Sequence, residues 1–575
     1  MRINDYLRNK LKYQQEVFFL DGHLEFAYSD GSGAENYVLN AIQNSKDISS
    51  DSRELESHIK DWSSRYHLAR ERTLAYKALK IEPSATILEV GSGCGSITRF
   101  LGERAGWVLA LEGSSRRATI ARERTRDLAN VDVLCASFED VDFSRKFDIV
   151  VCNGVLEYAA MFVKAEEPGQ KMLAMLSSLV APGGSLIVAI ENKFGLRYFS
   201  SSKEEHTNIM FDGIEGYPAN PKGARTYGDI ELENMLHACF DSVETFIPLP
   251  DYKLPTAIVR DKLLERVNCA ELFANTACFD HGSHIRPKMY ERLVWAELQK
   301  NALLKTFSNS LFMIAGDSTT KLLDPAWMGC IYSIRRKAER AVQTSIFSTK
   351  DGVIRTEKHY INSDLSRLAS SAFVHHEEQG AWVDGQSVHT AVVRALCNKR
   401  MMPLEERLDN PIKTWWSAVE IISDSTGIDK VSGKAIDSNW QNAIVTEGGV
   451  VFIDNEWEWN ENIDKLWLIY RVVTKFTQDE ILFVHRWSNK CKWITNFKII
   501  KVVAGILGVE FSIAKLLKAI EMEIVFQSSI SAITLNKARL VLSTVWPVRV
   551  RKAKYDALNQ VDKVIRKIVN KIGNR

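Results

Sequence analysis

Short, continuously apolar runs punctuate residues 81–315: "ILEV" (87–90), "VLALE" (108–112), "VDVLCA" (131–136), "FDIVVCNG" (147–154) and "SLIVAIEN" (185–192). Runs that lack apolar–polar alternation read as strands buried on both faces, and the stretches between them carry helical spacing. Strands alternating with helices in this way predict a parallel α/β sheet covered on both sides, a Rossmann-like domain over 81–315. Residues 1–80 are polar and read as a helical lead-in or lid that ends in "SSRYHLARERTLAYKALK". Residues 316–490 are rich in tryptophan and return to strand-like runs, "DGVIRTEKHYI" and "GGVVFIDNEWEW", between helical stretches. Residues 491–575 read as helices, and no repeat of fixed period or low-complexity tract interrupts the chain.

Composition changes this picture little. A chain of 575 residues that is 45% hydrophobic and 25% charged is an ordinary globular sequence with room for several cores. Its formal net charge of +2 gives no overall pull toward nucleic acid, so a nucleic-acid partner is not expected. The nine cysteines occur singly, without CxxC or zinc-type spacing, which argues against a disulfide framework or structural metal. With no signal-like h-region in "MRINDYLRNKLKYQQEVFFL" and no apolar run of membrane-spanning length, a cytoplasmic location is expected.

The chemistry starts where the first strand meets glycine. "LEVGSGCGSITRFL" runs from a strand through Gly91, Gly93 and Gly95 into a helical pattern, with Glu89 before the turn. A dinucleotide fold wants G-x-G-x-x-G, and this G-x-G-x-G spacing favours another nucleoside. S-adenosylmethionine fits: the turn admits the amino acid part of the cofactor, and an acid ending the second strand accepts from both ribose hydroxyls. Glu112 is such an acid, since the two oxygens of a carboxylate match a vicinal diol. Ser137, Phe138 and Glu139, after the third strand, stand where adenine is stacked and its amine bonded. Asn153 and Gly154, ending the fourth, mark the edge where acceptor meets methyl group. A "PGG" turn and a fifth strand then follow in register. Cys94 reads as a small residue tolerated in the turn, with no basic partner nearby in sequence.

Beyond the fifth strand, Glu191, Asn192 and Lys193 are candidate substrate contacts, because ligands enter such sheets at the carboxyl ends of the strands. His206 is a candidate general base, with its neutral form available near pH 7, or equally a loop histidine bonded to backbone. Tyr66 and His67 either form a lid over the cofactor or pack on the sheet.

From about Tyr66 to Gly316 the sequence resembles bacterial class I methyltransferases encoded with glycosyltransferases for surface polysaccharides. The resemblance rests on "YHLARERTLAYKAL", "ILEVGSGCGSITRFL", "NGVLEYA", "IENKFGLRYFSSSKEEHT", "FDGIEGYP", "PLPDYKLPT" and "FSNSLFMIAG". It implies a seven-stranded methyltransferase sheet, S-adenosylmethionine as donor and a polysaccharide or lipid-linked glycan as acceptor.

A second constellation lies in "KAIDSNWQNAIVTEGGVVFIDNEWEW". Asp437, Asn442 five residues later and the strand-ending Asp454 have the spacing of a kinase-type phosphotransferase, in which the first Asp orients the acceptor hydroxyl while the Asn and second Asp hold magnesium against ATP. Lys358, on a strand-like run, is placed to pair the phosphates, and "AWVDGQSV" resembles an inter-lobe linker. Ala435 stands where a histidine is usual, no glycine loop precedes Lys358, and Asn455-Glu456 follows Asp454. The expected second domain is therefore a kinase-like α+β module with a reduced small lobe, either catalytic or a non-catalytic scaffold that recruits glycosyltransferases.

A methyltransferase joined to such a module resembles enzymes that cap O-antigen chains of lipopolysaccharide. Arg549–Arg575 holds nine Lys/Arg against two Asp, with Val561, Val564, Ile565, Ile568, Val569 and Ile572 on one helical face. That face suits an anionic inner-membrane surface or a glycosyltransferase partner, and equally a core-packing helix with a solvated basic side.

Overall fold

The computed structural model describes residues 2–21, 31–276, 287–317, 321–361, 373–375, 379–399, 402–423, 428–530 and 537–548. The basic segment 549–575 lies outside the described residues. The chain divides into two compact units: Met1–Ile285 with Glu297–Tyr332 and Ile346–Gly352, and Arg286–Ala296 with Ser333–Ser345 and Val353–Arg575.

The first unit is built on a twisted sheet. Its strands are β1 (Leu11–Gln14), β2 (Val17–Leu20), β3 (Thr86–Val90), β4 (Trp107–Glu112), β5 (Val131–Cys135), β6 (Phe147–Asn153), β7 (Val180–Glu191), β8 (Ser242–Leu249), β9 (Ala257–Arg260), β10 (Ser310–Gly316) and β11 (Trp327–Ser333). Their order is β1-β2-β5-β4-β3-β6-β7-β10-β8-β9-β11. β5, β4, β3, β6 and β7 pair in parallel, and β10 is antiparallel to both β7 and β8. This is a Rossmann-like fold with a large mixed sheet and flanking helices. Every residue of β4 is buried, as a strand sandwiched between two helical layers requires.

The lead-in differs from expectation. Residues 11–20 form a hairpin, not a helix, and β2 adds to the sheet edge in parallel with β5. Gln15 and Glu16 adopt positive φ at its turn, and Val17, Phe18 and Leu20 are buried. The unpaired edge of β5 and the apolar "VFFL" satisfy each other, a tertiary pairing with no local helical or strand signal strong enough to show it. Helices follow where expected: α1 (Ser32–Asn44), α2 (Arg53–Ser57) and α3 (Trp62–Leu68), then α4 (Ser96–Gly102) and α5 (Ser115–Arg124) after β3 and β4. Asp61 caps α3 by accepting from the Ser64 amide while Ser64 returns a bond to the Asp61 amide.

The position of the cleft follows from chain order. From β3 the chain moves outward to β4 and β5, then crosses back to lay β6 on the other side of β3. At that reversal the connections after β3 and β6 diverge to opposite faces and open a crevice above their carboxyl ends.

In the second unit, a core of Trp415, Trp440, Trp467 and Trp487, each fully buried, packs beneath the helices Leu404–Ile422, Lys465–Asp479 and Asn496–Ile506. Ser387 and Ala443–Phe452 belong to a small three-stranded sheet, and the helices Ile513–Ile530 and Lys537–Val545 follow. Among the described residues no helix is long and apolar enough to cross a membrane.

Candidate functional site

The crevice of the first unit holds a cavity of about 470 Å³. One wall is the glycine turn. Gly91 has φ +73 and Gly95 φ +79, a backbone that L side chains rarely adopt. A Cβ on Gly91 would lie 2.3 Å from Val155 Cγ2, and one on Gly95 2.7 Å from the Ala121 backbone, so both positions are also closed by packing. The amides of Gly91 and Ser92 donate to the Leu111 carbonyl at 2.8 and 3.0 Å, which straps the turn to β4.

Glu112, at the end of β4, is fixed by the same turn. Its Oε2 accepts from the Gly93 amide at 2.7 Å and its Oε1 from the Ser114 amide at 3.0 Å. Burial raises its pKa, against the amide bonds and Arg117. Glu89 accepts from Thr98 Oγ1 at 2.6 Å and is pushed up to about 8, chiefly by burial. Tyr76 donates to Asn153 Oδ1 at 3.0 Å, while the Asn153 Nδ2 and Ser92 Oγ are buried with no hydrogen-bond partner. Glu139, whose pKa is raised by burial and by Asp140, lines the cavity beside Ser137 and Phe138.

At the other end of the cavity lies a charged network. His206 Nδ1 is 2.8 Å from Glu204 Oε1, and its Nε2 is 4.0 Å from Glu157 Oε1. Lys253 Nζ is 2.5 Å from Glu191 Oε1 and also pairs with Glu205, which Arg197 binds as well. Burial opposes the charge on His206, yet Glu204, Glu191 and Glu157 outweigh it and push its pKa up to about 9. The imidazole is therefore protonated at neutral pH, and the expected neutral form is not its ground state. Burial, then the charge of Glu191, pushes Glu157 up to about 8 against His206 and Lys253.

Of the residues singled out in the sequence, Glu89, Gly91, Gly93, Glu112, Ser137, Phe138, Glu139, Asn153, Gly154, Glu191 and His206 line this cavity. Gly95 sits behind the turn, at the start of α4. Asn192 is fully buried, and its amide donates to the Thr306 and Ser308 carbonyls, both at 2.8 Å. Lys193 pairs with Glu231 at 2.7 Å, and neither residue lines the cavity. Tyr66 and His67 do line it. The Arg72 guanidinium lies 4.2 Å from the Tyr66 ring centre, and His67 Nε2 is 3.8 Å from Cys94 Sγ, a neighbour that sequence distance had hidden.

Sequence reasoning passed over Glu157, Arg72, Glu205, Tyr252 and Lys253. Glu157 was visible in "NGVLEYA", four residues past Asn153, and Tyr252 and Lys253 in "PLPDYKLPT". Nothing local announces that these distant segments meet.

In the second unit, Lys358 on the strand Ile354–Tyr360 pairs with Asp454 and lies 3.0 Å from Glu456 Oε2. Asn442 Nδ2 donates to the Asp437 carbonyl at 3.1 Å and the Asp454 carbonyl at 3.3 Å. Lys358, Asp437, Asn442 and Asp454 are thus brought together, with Glu456, Arg336, Asn439 and Arg471 as unforeseen neighbours. Arg336 bonds Glu456, Asn439 donates to Asp437 Oδ1 at 3.0 Å, and Arg471 lies 3.8 Å from it. Burial and Asp454 push Asp437 up to about 8.

The family model described as a methyltransferase domain matches residues 88–186, the span from β3 into β7. The chain therefore carries a class I, S-adenosylmethionine-dependent methyltransferase domain. Among curated relatives, an uncharacterized methyltransferase of Staphylococcus carnosus is 32% identical over 102 residues, 18% of this chain and 45% of that protein. A probable ribosomal RNA small subunit methyltransferase A of Methanosarcina acetivorans is 36% identical over 76 residues, 13% of this chain and 28% of that protein. The chain thus spans less than half the length of either relative. Among solved structures, Haemonchus contortus phosphoethanolamine N-methyltransferase 2 in complex with S-adenosyl-L-methionine aligns at 14% identity and a TM-score of 0.26, covering 43% of this chain and 52% of that one.

Proposed function

We propose that the protein methylates a surface glycan, in polysaccharide synthesis or chain termination, with S-adenosylmethionine held by the first unit. The observation that carries the cofactor reading is Glu112: a buried carboxylate strapped by two backbone amides at the carboxyl end of β4, next to the reversal point of the sheet and lining a cavity large enough for a nucleoside. The residues suit the group. Glu112 offers paired acceptors to a ribose diol, Ser137, Phe138 and Glu139 flank the place for adenine, and Ser92, whose Oγ has no hydrogen-bond partner, is among the lining residues. Arg72, whose charge reaches Glu89, is a lining cation on the Glu89 side of the glycine turn and matches an amino acid carboxylate.

When bound, the cofactor supplies an electrophilic methyl: a bond from the acceptor oxygen to carbon forms as the sulfur–carbon bond breaks and its electron pair returns to sulfur. The chain's own part is positioning, water exclusion and removal of the acceptor proton. The glycan assignment is supported by the resemblance of the motifs from Tyr66 to Gly316 to polysaccharide-cluster methyltransferases. The basic segment 549–575 would serve contact with the inner membrane or a glycosyltransferase.

A second reading concerns the other unit. The convergence of Lys358, Asp437, Asn442 and Asp454 favours a kinase-like phosphotransferase site, in which Asn442 and Asp454 would hold magnesium, Lys358 the ATP phosphates, and Asp437 the acceptor hydroxyl. The double pairing of Lys358 with Asp454 and Glu456 equally suits a closed, non-catalytic scaffold. Calorimetry separates these: binding of S-adenosylmethionine and of ATP with magnesium supports two activities. Binding of the first alone supports the scaffold, and binding of neither removes the enzymatic reading.

A further inference from the structure

Three polar atoms on the acceptor side of the cavity are buried and have no hydrogen-bond partner: Glu157 Oε2, Glu191 Oε2 and Asn153 Nδ2. The exposures of these residues are 2%, 1% and 8%, and all three line the cavity. A buried polar atom left unpaired costs on the order of 1–3 kcal/mol, so three such atoms on residues that line one cavity suit a ligand that donates to two acceptors and accepts from one amide.

The charges around them narrow the ligand. Oε1 of Glu191 faces Lys253 and Oε1 of Glu157 faces His206, while Glu204 and Glu205 engage His206, Lys253 and Arg197. With Glu157 pushed up to about 8 and so mostly neutral near pH 7, Glu191, Glu204 and Glu205 balance His206, Lys253 and Arg197, and Arg72 lies toward the glycine turn, so no surplus positive charge is left for an anion. A phosphate would place its charge directly beside the Glu191 carboxylate, whose Oε1 is already paired with Lys253. The ligand atoms of Glu157, Glu191 and His206 all lie within 4.8 Å of one another, spacing that would suit a divalent ion. The Lys253 ammonium on Glu191 and the proton on His206 already fill that need.

We infer that the methyl acceptor is an uncharged polyhydroxyl group such as a sugar ring, with neighbouring hydroxyls donating to Glu157 and Glu191 and Glu157 taking the proton of the hydroxyl that is methylated. This rests on the methyltransferase reading and narrows it, excluding a glycan-linked phosphate. Its balance is complete: the hydroxyl proton passes to the Glu157 carboxylate as oxygen gains the methyl and sulfur keeps the electron pair. Pushed up to about 8 by burial and Glu191, Glu157 is mostly protonated near pH 7, and its ionised form, which takes the proton, is a stronger base than an ordinary surface glutamate.

The test uses the full chain. Calorimetry with S-adenosylmethionine comes first, and absence of binding overturns the underlying reading and this inference with it. The protein is then incubated with tritiated-methyl S-adenosylmethionine and a glycan extract of the source cells, and the labelled glycan is hydrolysed in acid. Label in an uncharged O-methyl monosaccharide is expected. Label in methyl phosphate, in a methyl ester cleaved by mild alkali or in an N-methyl amino sugar overturns the inference, as does no label from protein that binds the cofactor. Glu157→Gln is expected to lower kcat at least 100-fold and Glu191→Gln to raise the acceptor KM at least tenfold, with cofactor affinity within twofold of the parent. Unchanged kinetics in both variants also overturn it.

Discussion

Replacing Glu112 by glutamine tests the cofactor site with almost no change of shape. Each carboxylate oxygen accepts one backbone amide, Gly93 at 2.7 Å and Ser114 at 3.0 Å, and has a further lone pair for a ribose hydroxyl. In Glu112→Gln one oxygen becomes an NH2 group, which faces a backbone N–H as donor against donor and no longer accepts from the diol. One charge-assisted hydrogen bond to the cofactor is lost, worth about 1.5–3 kcal/mol. That corresponds to a dissociation constant about 10–150-fold weaker. Titration calorimetry with S-adenosylmethionine reads the affinity, and circular dichroism checks that the sheet remains formed. A folded variant whose affinity stays within twofold of the parent would refute the ribose assignment and the argument from the strapped carboxylate.

Three further outcomes are expected. His206 has its folded pKa raised from 6.5 to about 9, so its contribution to stability is fully present below pH 6.5 and is lost as pH rises through 9. Scaled by the shift, this is on the order of 3 kcal/mol, and urea unfolding should show that decline in the parent and a flatter profile in His206→Gln. Gly95→Ala forces a side chain into φ +79 and against the Ala121 backbone, which should cost about 2–5 kcal/mol in the same assay; a loss below 0.5 kcal/mol would contradict the packing of α4 on α5. Where the parent binds ATP with magnesium, Asp454→Ala should abolish that binding in calorimetry, and retained binding would remove Asp454 from the proposed phosphate site.

The cofactor end of the first unit was legible because it is built from local signals in sequence order. A strand, a glycine turn and an acid closing the next strand place Gly91, Gly93 and Glu112 on one crevice whenever the strands pair in parallel. The acceptor end was not legible to the same degree. Glu191 ends β7, while Glu157, Glu205 with His206, and Lys253 come from three separate connections, and a carboxylate looks the same in sequence whether it is solvated or buried beside another. His206 is the clearest case: its type suggested a base, and its neighbours make it a cation.

The pattern of apolar runs by itself determined the five parallel strands β3 to β7 and the glycine turn between β3 and α4, because burial on both faces and positive-φ glycines leave a local imprint; the antiparallel β8, β9 and β10 that make the sheet mixed left none. Only the tertiary structure decided that "VFFL" joins the sheet as an edge strand, that Asn192 is consumed by the Thr306 and Ser308 carbonyls, and that Glu157 and Glu191 each keep one oxygen without a partner. Strand pairing, desolvation and the field of neighbouring charges depend on distances through space, and those distances are set only when segments far apart in the chain are packed together.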